Sequence, residues 1–312
     1  MSFDEFIGFR VENEYKIINL KKRTVFAPSQ KLKRIHRFLN SAILEYAEFN
    51  EESVFSYRKG FSARDAVEKH ASNSFFFQTD ISNFFGNIQL ENVRMVLANQ
   101  LTNTPVLDIG DYLGLIAKLV VVDNHIPAGF STSPLLSNLC LLKFDNALAS
   151  HCQDNKLMYT RYSDDLIISG DVQGFTFTIE SVIKNLLKQN VNSAISVNSA
   201  KTKIHKKGHN FKLLGFSILP NGIVTISSVD KKYVESMLYF FLTDPSKFED
   251  FFIKHSKKKL NDIDDKSLRE HGISSLSGKL IACNSMDKNY VSKLRRKYGN
   301  TLIDMFIRQS VK

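Results

Sequence analysis

The chain of 312 residues has few cysteines for disulfide cross-links and no long apolar run for crossing a membrane. Its three cysteines, Cys140, Cys152 and Cys283, are odd in number and widely spaced, without a Cys-x-x-Cys pair. That usage argues against a disulfide framework or a zinc site and favours a reducing compartment. No window has the about 18 consecutive apolar residues of a membrane span, and the N-terminus lacks the pattern of a signal peptide. We therefore expect a cytoplasmic protein with no membrane partner.

The first two thirds of the sequence also lack any excess of positive charge. The whole chain carries a net charge of +10, yet residues 201–312 contain 22 Lys and Arg against 11 Asp and Glu. Basic residues also serve solubility, but their concentration in one segment favours a surface that meets phosphates. The last third is therefore predicted to bind nucleic acid.

Hydrophobic patterns divide the chain into short elements. Residues 74–81 form a continuous apolar run that contains Asp80 near its end, as expected of a buried strand. Residues 157–170 read as two strands that meet at an acidic turn. The densest apolar stretch, residues 135–149, is broken by polar residues. The other predicted elements are a hairpin over 14–28, helices over 29–48, 90–101, 109–120, from 133 and over 173–189, a strand near 194–198, a hairpin over 211–227 and helices from 228.

One carboxylate ends the buried strand, and two adjacent carboxylates, Asp164 and Asp165, stand in the acidic turn. Phosphoryl transfer uses two divalent cations about 3.5–4 Å apart, bridged by carboxylates, and magnesium prefers such hard oxygen ligands. Neighbours on a regular strand face opposite sides, so a turn is needed to bring both side chains to one site, with Asp164 the closer ligand. An isolated Asp-Asp pair, however, more often serves only to form a turn.

The longer sequence around the pair is more specific. Residues 159–170, Tyr-Thr-Arg-Tyr-Ser-Asp-Asp-Leu-Ile-Ile-Ser-Gly, resemble the Tyr-x-Asp-Asp motif of reverse transcriptases. Other motifs of that family follow in order: residues 22–28 resemble the fingers hairpin, 79–85 and 126–138 the first two palm motifs, 198–202 the lysine motif, 212–216 the primer-gripping hairpin, and 276–279 and 293–299 the end of the thumb. From about residue 15 onward, the chain resembles bacterial retron-type and defence-associated reverse transcriptases.

The resemblance implies an α+β right-hand polymerase fold. Its parts are abbreviated fingers with an N-terminal basic hairpin over 1–75, a palm with a small antiparallel sheet over 76–227, and a basic α-helical thumb over 228–312.

The resemblance also implies a catalytic centre. Asp80, Asp164 and Asp165 correspond to the carboxylates that hold two Mg²⁺ ions. Lys201 matches the lysine that gives a proton to the leaving pyrophosphate, although an ordinary exposed lysine is an equal alternative.

Further positions correspond to contacts with the deoxynucleoside triphosphate. Arg23 and Lys22 stand where the family contacts the triphosphate, and a guanidinium fork suits that task; a solvated hairpin charge is the alternative. Phe85 is the sugar-selecting position, where a flat ring excludes a 2′-hydroxyl, unless it is core packing with Phe84. Ala128 and Gly129 stand beside the nascent pair.

Three departures from the family pattern bear on the product. Many relatives have Gln-Gly at Ala128-Gly129, so one polar contact is missing. The stretch that usually reads Asn-Ala-x-x-His keeps only His70, and Leu213-Leu214-Gly215 replaces Val-Thr-Gly, which predicts an apolar strand without a side-chain hydroxyl. The last two motifs are associated with retron RNA and its branched product, which puts that product in doubt.

The sequence therefore predicts an RNA-directed DNA polymerase that copies a dedicated small non-coding RNA into DNA, in anti-phage defence. An effector protein or a second copy of the chain is a further expected partner. The alternatives are a retron enzyme that makes branched RNA–DNA, an RNA-synthesising polymerase and a catalytically silent RNA-binding scaffold. Phe85 argues against RNA synthesis, and three intact carboxylates argue against the silent scaffold.

Overall fold

The computed structural model describes residues 3–20, 23–101, 104–209, 211–256 and 268–309. The chain divides into two compact units, Met1–His209 and Asn210–Lys312. The first combines helices with sheets and the second is mainly helical, which confirms the predicted α+β class. The finer division into residues 1–75, 76–227 and 228–312 stays a prediction. Within the described segments, no helix combines the length and the apolar character needed to cross a membrane.

The first unit contains a hairpin and a four-stranded antiparallel sheet. The hairpin strands are β1 (Tyr15–Leu20) and β2 (Arg23–Pro28). The sheet strands are β3 (Phe75–Asp80), β4 (Met158–Tyr162), β5 (Asp165–Gly170) and β6 (Lys203–Lys206). Their order is β4-β5-β3-β6, so the two strands that carry the carboxylates are neighbours.

Helices pack around this sheet and supply most of the core. They are α1 (Phe3–Ile7), α2 (Gln30–Ala42), α3 (Ala63–Glu68), α4 (Leu90–Gln100), α5 (Ile109–Val120), α6 (Ser133–Cys140), α7 (Leu142–Asp154) and α8 (Ile179–Asn190). The start of α2 follows from its sequence, because the Ser29 side chain accepts a hydrogen bond from Leu32 N, as an N-cap does. Apolar residues at helical spacing on α2, among them Leu32 and Leu39, are buried in one core cluster with Phe77 and Leu166 of the sheet.

Some predicted elements differ from the structure. The helix predicted over 173–189 begins as a separate 3-10 helix, Gln173–Phe177, ahead of α8. The helix predicted over 29–48 ends at Ala42 and is followed by a 3-10 turn, Leu44–Tyr46. The strand predicted near 194–198 is reduced to one isolated bridge between Ile81 and Val197. The cause lies in Asn192, whose side-chain oxygen accepts hydrogen bonds from the backbone nitrogens of Ala194 and Ile195. Such local side-chain bonds compete with a strand ladder.

The second unit has its own core. It contains the hairpin strands β7 (Phe216–Ile218) and β8 (Val224–Ile226), followed by α9 (Ser228–Thr243), α10 (Pro245–His255), α11 (Leu268–Met286), α12 (Lys288–Tyr298) and α13 (Asn300–Ile307). The hairpin turns at residues 219–223, as predicted. Leu214 and Gly215 form a tighter turn, with φ of 49° and 89°, closed by paired hydrogen bonds between Leu213 and Phe216. Leu214 therefore occupies a turn, and the expectation of an apolar strand at this position was wrong.

Candidate active site

The register of the sheet brings three carboxylates to one end. Asp80, the last residue of β3, pairs with Asp165, the first residue of β5. Tyr162 of β4 pairs with the same Asp165, so Ser163 and Asp164 form a two-residue turn. The backbone nitrogen of Ile81 donates to the carbonyl of Asp164 at 2.9 Å. Asp80, Asp164 and Asp165 consequently line one cleft of about 320 Å³.

Lys201 lines the same cleft. Its Nζ donates to Asp80 Oδ2 at 2.8 Å. Two contacts fix the segment that carries it: Asn198 N donates to Asp80 O at 2.8 Å, and the hydroxyls of Thr79 and Thr202 lie 2.8 Å apart. The lysine is thereby held beside the carboxylates, with 66% of its side chain exposed to solvent.

The carboxylates perturb one another electrostatically. Burial and the neighbouring Asp164 carboxylate raise the pKa of Asp165 to about 6. The hydrogen bond to Asp80 raises the pKa of Lys201, so that residue is held in its charged form. Neighbouring carboxylates contribute to both shifts, and a bound cation would relieve their mutual repulsion.

The donor set fits a divalent cation. Asp80 is 8% exposed, and its Oδ1 is buried without a hydrogen-bond partner among the described residues. A buried carboxylate oxygen left in that state is costly unless an ion or water meets it. Within the described segments, no group of three or more His, Cys, Asp or Glu side chains is placed so that it could already hold a metal ion. The cleft thus offers hard oxygen ligands, one of them unsatisfied, which suits Mg²⁺.

Some of the residues expected to contact the nucleotide lie at or against the hairpin of β1 and β2. We call Arg23, Ala128 and Gly129 the hairpin group. Arg23 is exposed at the start of β2, opposite Leu20, and Lys22 lies outside the described residues. Phe26 N of the same strand donates to Ala128 O at 2.7 Å. Gly129 has a φ of +109°, and a Cβ there would lie 2.4 Å from Phe26 O. The Ala128–Gly129 turn therefore packs directly against the hairpin.

Phe85 is half-buried at the start of a 3-10 turn, Phe85–Asn87. Its ring centroid lies 5.1 Å from that of Phe84, which is buried in the core as expected. Among the described residues that line the carboxylate cleft, neither Phe85 nor the residues of the hairpin group are present. The structure thus brings Asp80, Asp164, Asp165 and Lys201 into one cleft. The other predicted site residues that the structure describes lie outside this cleft: Arg23, Phe85, Ala128 and Gly129.

A buried polar network beneath the turn was missed from the sequence. Arg161 and Asp145 are both fully buried and form two hydrogen bonds, Nε to Oδ1 at 2.8 Å and Nη2 to Oδ2 at 2.6 Å. Arg161 Nη1 also donates to Asn138 Oδ1 and to Ser163 O, each at 3.1 Å. The sequence does contain a signal of this network, because Asn138 and Asp145 are two of the polar residues that interrupt the densest apolar stretch, residues 135–149.

His70 has a structural position. It is fully buried, with Nδ1 2.6 Å from Ser169 Oγ and Nε2 2.8 Å from Thr160 Oγ1. Burial lowers the pKa of His70 to about 3. The imidazole therefore joins the end of α3 to β4 and β5 in its neutral form, and it has no surface with which to meet RNA.

Comparison with known proteins shows the family of the chain. The family model for reverse transcriptase (RNA-dependent DNA polymerase) matches residues 17–218. The chain is 24% identical to the Retron Ec83 reverse transcriptase of Escherichia coli, covering 96% of this chain and 92% of that protein. It is 24% identical to the Retron Ec73 reverse transcriptase of Escherichia coli, covering 88% and 83%.

A solved structure of apo telomerase from Candida tropicalis is similar in fold, with a TM-score of 0.54 and 9% identity. That likeness covers 92% of this chain and 58% of the telomerase chain, so the chain spans little more than half of its length. On the motifs, the polymerase fold and the match over residues 17–218, the chain belongs to the reverse transcriptase (RNA-dependent DNA polymerase) family and is related to bacterial retron reverse transcriptases.

Proposed function

We propose that this reverse transcriptase copies a dedicated small non-coding RNA into DNA, and that it does so in anti-phage defence. The observation that carries the proposal is the cleft in which Asp80, Asp164, Asp165 and Lys201 meet, with Asp80 Oδ1 unsatisfied. Retron reverse transcriptases match this chain along most of its length. We therefore expect the enzyme to copy one dedicated RNA rather than RNA of any sequence.

In this proposal, Asp80, Asp164 and Asp165 would hold two Mg²⁺ ions. Bound divalent ions supply activation of the attacking 3′-hydroxyl and stabilisation of the leaving pyrophosphate. The protein residues orient the substrates around them. Lys201 is charged and next to Asp80, which suits delivery of a proton to a pyrophosphate oxygen.

The hairpin group would bind the nucleotide. Arg23 is exposed, and its fork of donors can take two oxygens of a triphosphate. Gly129 allows the backbone of the Ala128–Gly129 turn to approach β2, which keeps the hairpin close to the turn. Phe85 would lie beneath the sugar and exclude a 2′-hydroxyl, giving preference for deoxynucleotides.

The basic face of one helix, α2, supports RNA as the partner. α2 exposes Lys31, Lys33, Arg34 and Arg37, and its first turn has no acidic residue. Cations near a helix N-terminus are unfavourable with the helix dipole. Bound phosphates would offset that penalty, so this face of α2 suits a nucleic-acid backbone.

The template is tested by sequencing the nucleic acid that co-purifies with the chain expressed in its bacterial host. We expect one abundant small RNA and a DNA complementary to part of it. An Asp164→Asn variant should keep the RNA and lose the DNA. A mixture of cellular RNAs without matching DNA would contradict a dedicated template. Loss of phage protection in the same variant would support the defence role, and unchanged protection would contradict it.

We further propose that the product is not the usual branched RNA–DNA. Leu213-Leu214 replaces the Val-Thr pair associated with branching, and Leu214 lies in a turn without any side-chain hydroxyl. The alternative is a branched product primed from an internal 2′-hydroxyl, the product associated with retron enzymes of the usual kind. Treatment of the co-purified DNA with debranching enzyme decides between them. DNA released from RNA only by debranching would restore the branched-product alternative.

A further inference from the structure

A loop that precedes α3 runs along the outer edge of β4 and reaches the Asp164–Asp165 turn. We call residues 50–61 the edge loop. Phe55 N donates to Arg161 O at 3.0 Å, and Arg161 N donates to Ser53 O at 2.8 Å. Asn138 Nδ2 donates to Ser56 O at 3.0 Å. The edge loop is thus anchored by backbone bonds to the strand that leads into the catalytic turn.

Tyr57 of the edge loop has an unusual backbone. Its φ is +62°, a left-handed conformation that bulky residues rarely adopt. Arg58 helps to hold it, since Nη1 donates to Glu51 O at 2.6 Å and to Val54 O at 2.8 Å. The result is that the Tyr57 hydroxyl lies 2.6 Å from Ser163 Oγ. Strained residues of this kind persist where the surroundings determine them, and they concentrate at functional sites.

Ser163 immediately precedes Asp164 and is itself left-handed, with a φ of +60°. Two-residue hairpin turns normally use Asn or Gly at such a position, because those residues tolerate positive φ. Serine has no such preference, and here both of its polar oxygens are held. Tyr57 meets the hydroxyl, and Arg161 Nη1 donates to the carbonyl at 3.1 Å.

Arg161 is in turn fixed from below. Its guanidinium is fully buried and bound by Asp145 and Asn138. Replacing a buried ion pair by apolar residues is often neutral or stabilising, so such a pair is weak evidence of a stabilising role. The hydrogen bond from Arg161 Nη1 to Ser163 O instead gives Arg161 a role in positioning the turn.

We propose that Tyr57 and Arg161 are positioning residues that set the geometry of the Asp164–Asp165 turn through Ser163. Neither touches the reacting atoms. The two contacts hold a non-glycine residue in the left-handed region, and that conformation lets adjacent aspartates line one cleft. The inference rests on the proposed role of the three aspartates as metal ligands.

The test compares Tyr57→Phe, Ser163→Ala and the double variant in single-nucleotide addition. Each single change removes one hydroxyl of the contact and leaves the buried Arg161 network intact. We expect kcat to fall about 10- to 100-fold in each, as is typical when a supporting hydrogen bond of a ligand is removed. KM for the nucleotide and the melting temperature should stay near those of the wild type, and the double variant should be no slower than the worse single variant.

A second readout does not depend on turnover. Binding of Mn²⁺ to the nucleotide-free protein, followed by electron paramagnetic resonance, should weaken in Tyr57→Phe. Tyr112→Phe, which removes a phenol hydroxyl on α5, is the matched control and should match the wild type in both assays.

Wild-type kcat in Tyr57→Phe, additive losses in the double variant, or a kcat loss that only follows a lower melting temperature would overturn the proposal. Failure of the underlying metal site would look different. In that case Asp164→Asn itself would retain nucleotide addition, whatever Tyr57→Phe does.

Discussion

Three carboxylates share one partly buried cleft, in which Lys201 Nζ donates a hydrogen bond to Asp80. Burial and the neighbouring Asp164 carboxylate raise the pKa of Asp165, and Asp80 Oδ1 is buried without a hydrogen-bond partner among the described residues. At the scale of single residues, the cleft is therefore arranged for a ligand of positive charge.

We propose that sugar selection depends on the ring of Phe85. Phe85→Ala should raise the use of ribonucleotides, because the space beneath the sugar would admit a 2′-hydroxyl, and total activity should fall. The measurement is the ratio of kcat/KM for dATP and ATP in single-nucleotide extension. Phe84→Leu, a change in the buried neighbour, is the control and should keep the wild-type ratio. An unchanged ratio in Phe85→Ala would show that the ring is core packing.

His70 makes the folded state sensitive to acid. Its pKa is about 3 in the folded chain, against 6.5 for an ordinary histidine, so the neutral form stabilises the fold fully above pH 6.5. That stabilisation is lost as the pH falls from 6.5 towards 3, by up to about 1.4 kcal/mol per pH unit. Urea unfolding should therefore give a lower free energy of unfolding at pH 5 than at pH 7.5.

His70→Gln removes the titration but keeps hydrogen-bonding groups. The variant should be less stable than the wild type at pH 7.5, and its loss of unfolding free energy between pH 7.5 and pH 5 should be smaller. His36, whose pKa burial lowers to about 4, would leave a residual dependence in the same direction. An identical pH dependence in the two proteins would contradict this account of His70.

At the scale of elements, the hairpin of β1 and β2 depends on the Ala128–Gly129 turn. Gly129→Ala would place a methyl group 2.4 Å from Phe26 O, at a φ of +109°. The hairpin must then move, so we expect KM for the nucleotide to rise and the unfolding free energy to drop by about 1 kcal/mol or more.

Gly114→Ala is the matched control, because a Cβ at Gly114 in α5 meets nothing within 4 Å. Alanine in a helix interior should stabilise the protein by up to about 1 kcal/mol and leave KM unchanged. If Gly129→Ala had a wild-type KM, the turn would not support nucleotide binding.

How far the sequence predicts each element depends on where its stabilising contacts lie. The buried strand β3 and the hairpin of β4 and β5 follow from local patterns, and both were predicted. The segment near residues 194–198 was misassigned because Asn192 makes local side-chain bonds that no apolar pattern reveals. The Arg161–Asp145 pair joins residues 16 positions apart in the chain, and its geometry appears only in the fold.

For the whole molecule, the distribution of charge sets the expected footprint on nucleic acid. The exposed face of α12 carries Lys293 and Arg296 in the positively charged last third. Lys257, Lys258 and Lys259 belong to the same predicted footprint but lie outside the described residues. We expect RNA binding to weaken log-linearly with salt, since bound counterions are released.

Changing Lys293 and Arg296 to Gln should lower the slope of that salt dependence by roughly 0.7–0.9 for each phosphate that the protein no longer neutralises. The control pair is Lys156→Gln and Lys188→Gln, two exposed lysines of the first unit. The measurement is equilibrium binding of a structured RNA between about 50 and 200 mM salt, a range over which roughly 6–10 neutralised phosphates change affinity by orders of magnitude. Equal slopes for the two pairs would contradict a footprint centred on the last third.

The most direct test of the central claim is extension of a DNA primer on an RNA template with Mg²⁺ and deoxynucleotides, comparing the wild type with Asp164→Asn. The wild type should add nucleotides. Asp164→Asn should lose addition while retaining its melting temperature and RNA affinity, because the carboxylate serves the ions and little of the fold. Asp80→Asn should behave in the same way. Nucleotide addition near the wild-type rate in Asp164→Asn would contradict the assignment of this cleft as the polymerase active site.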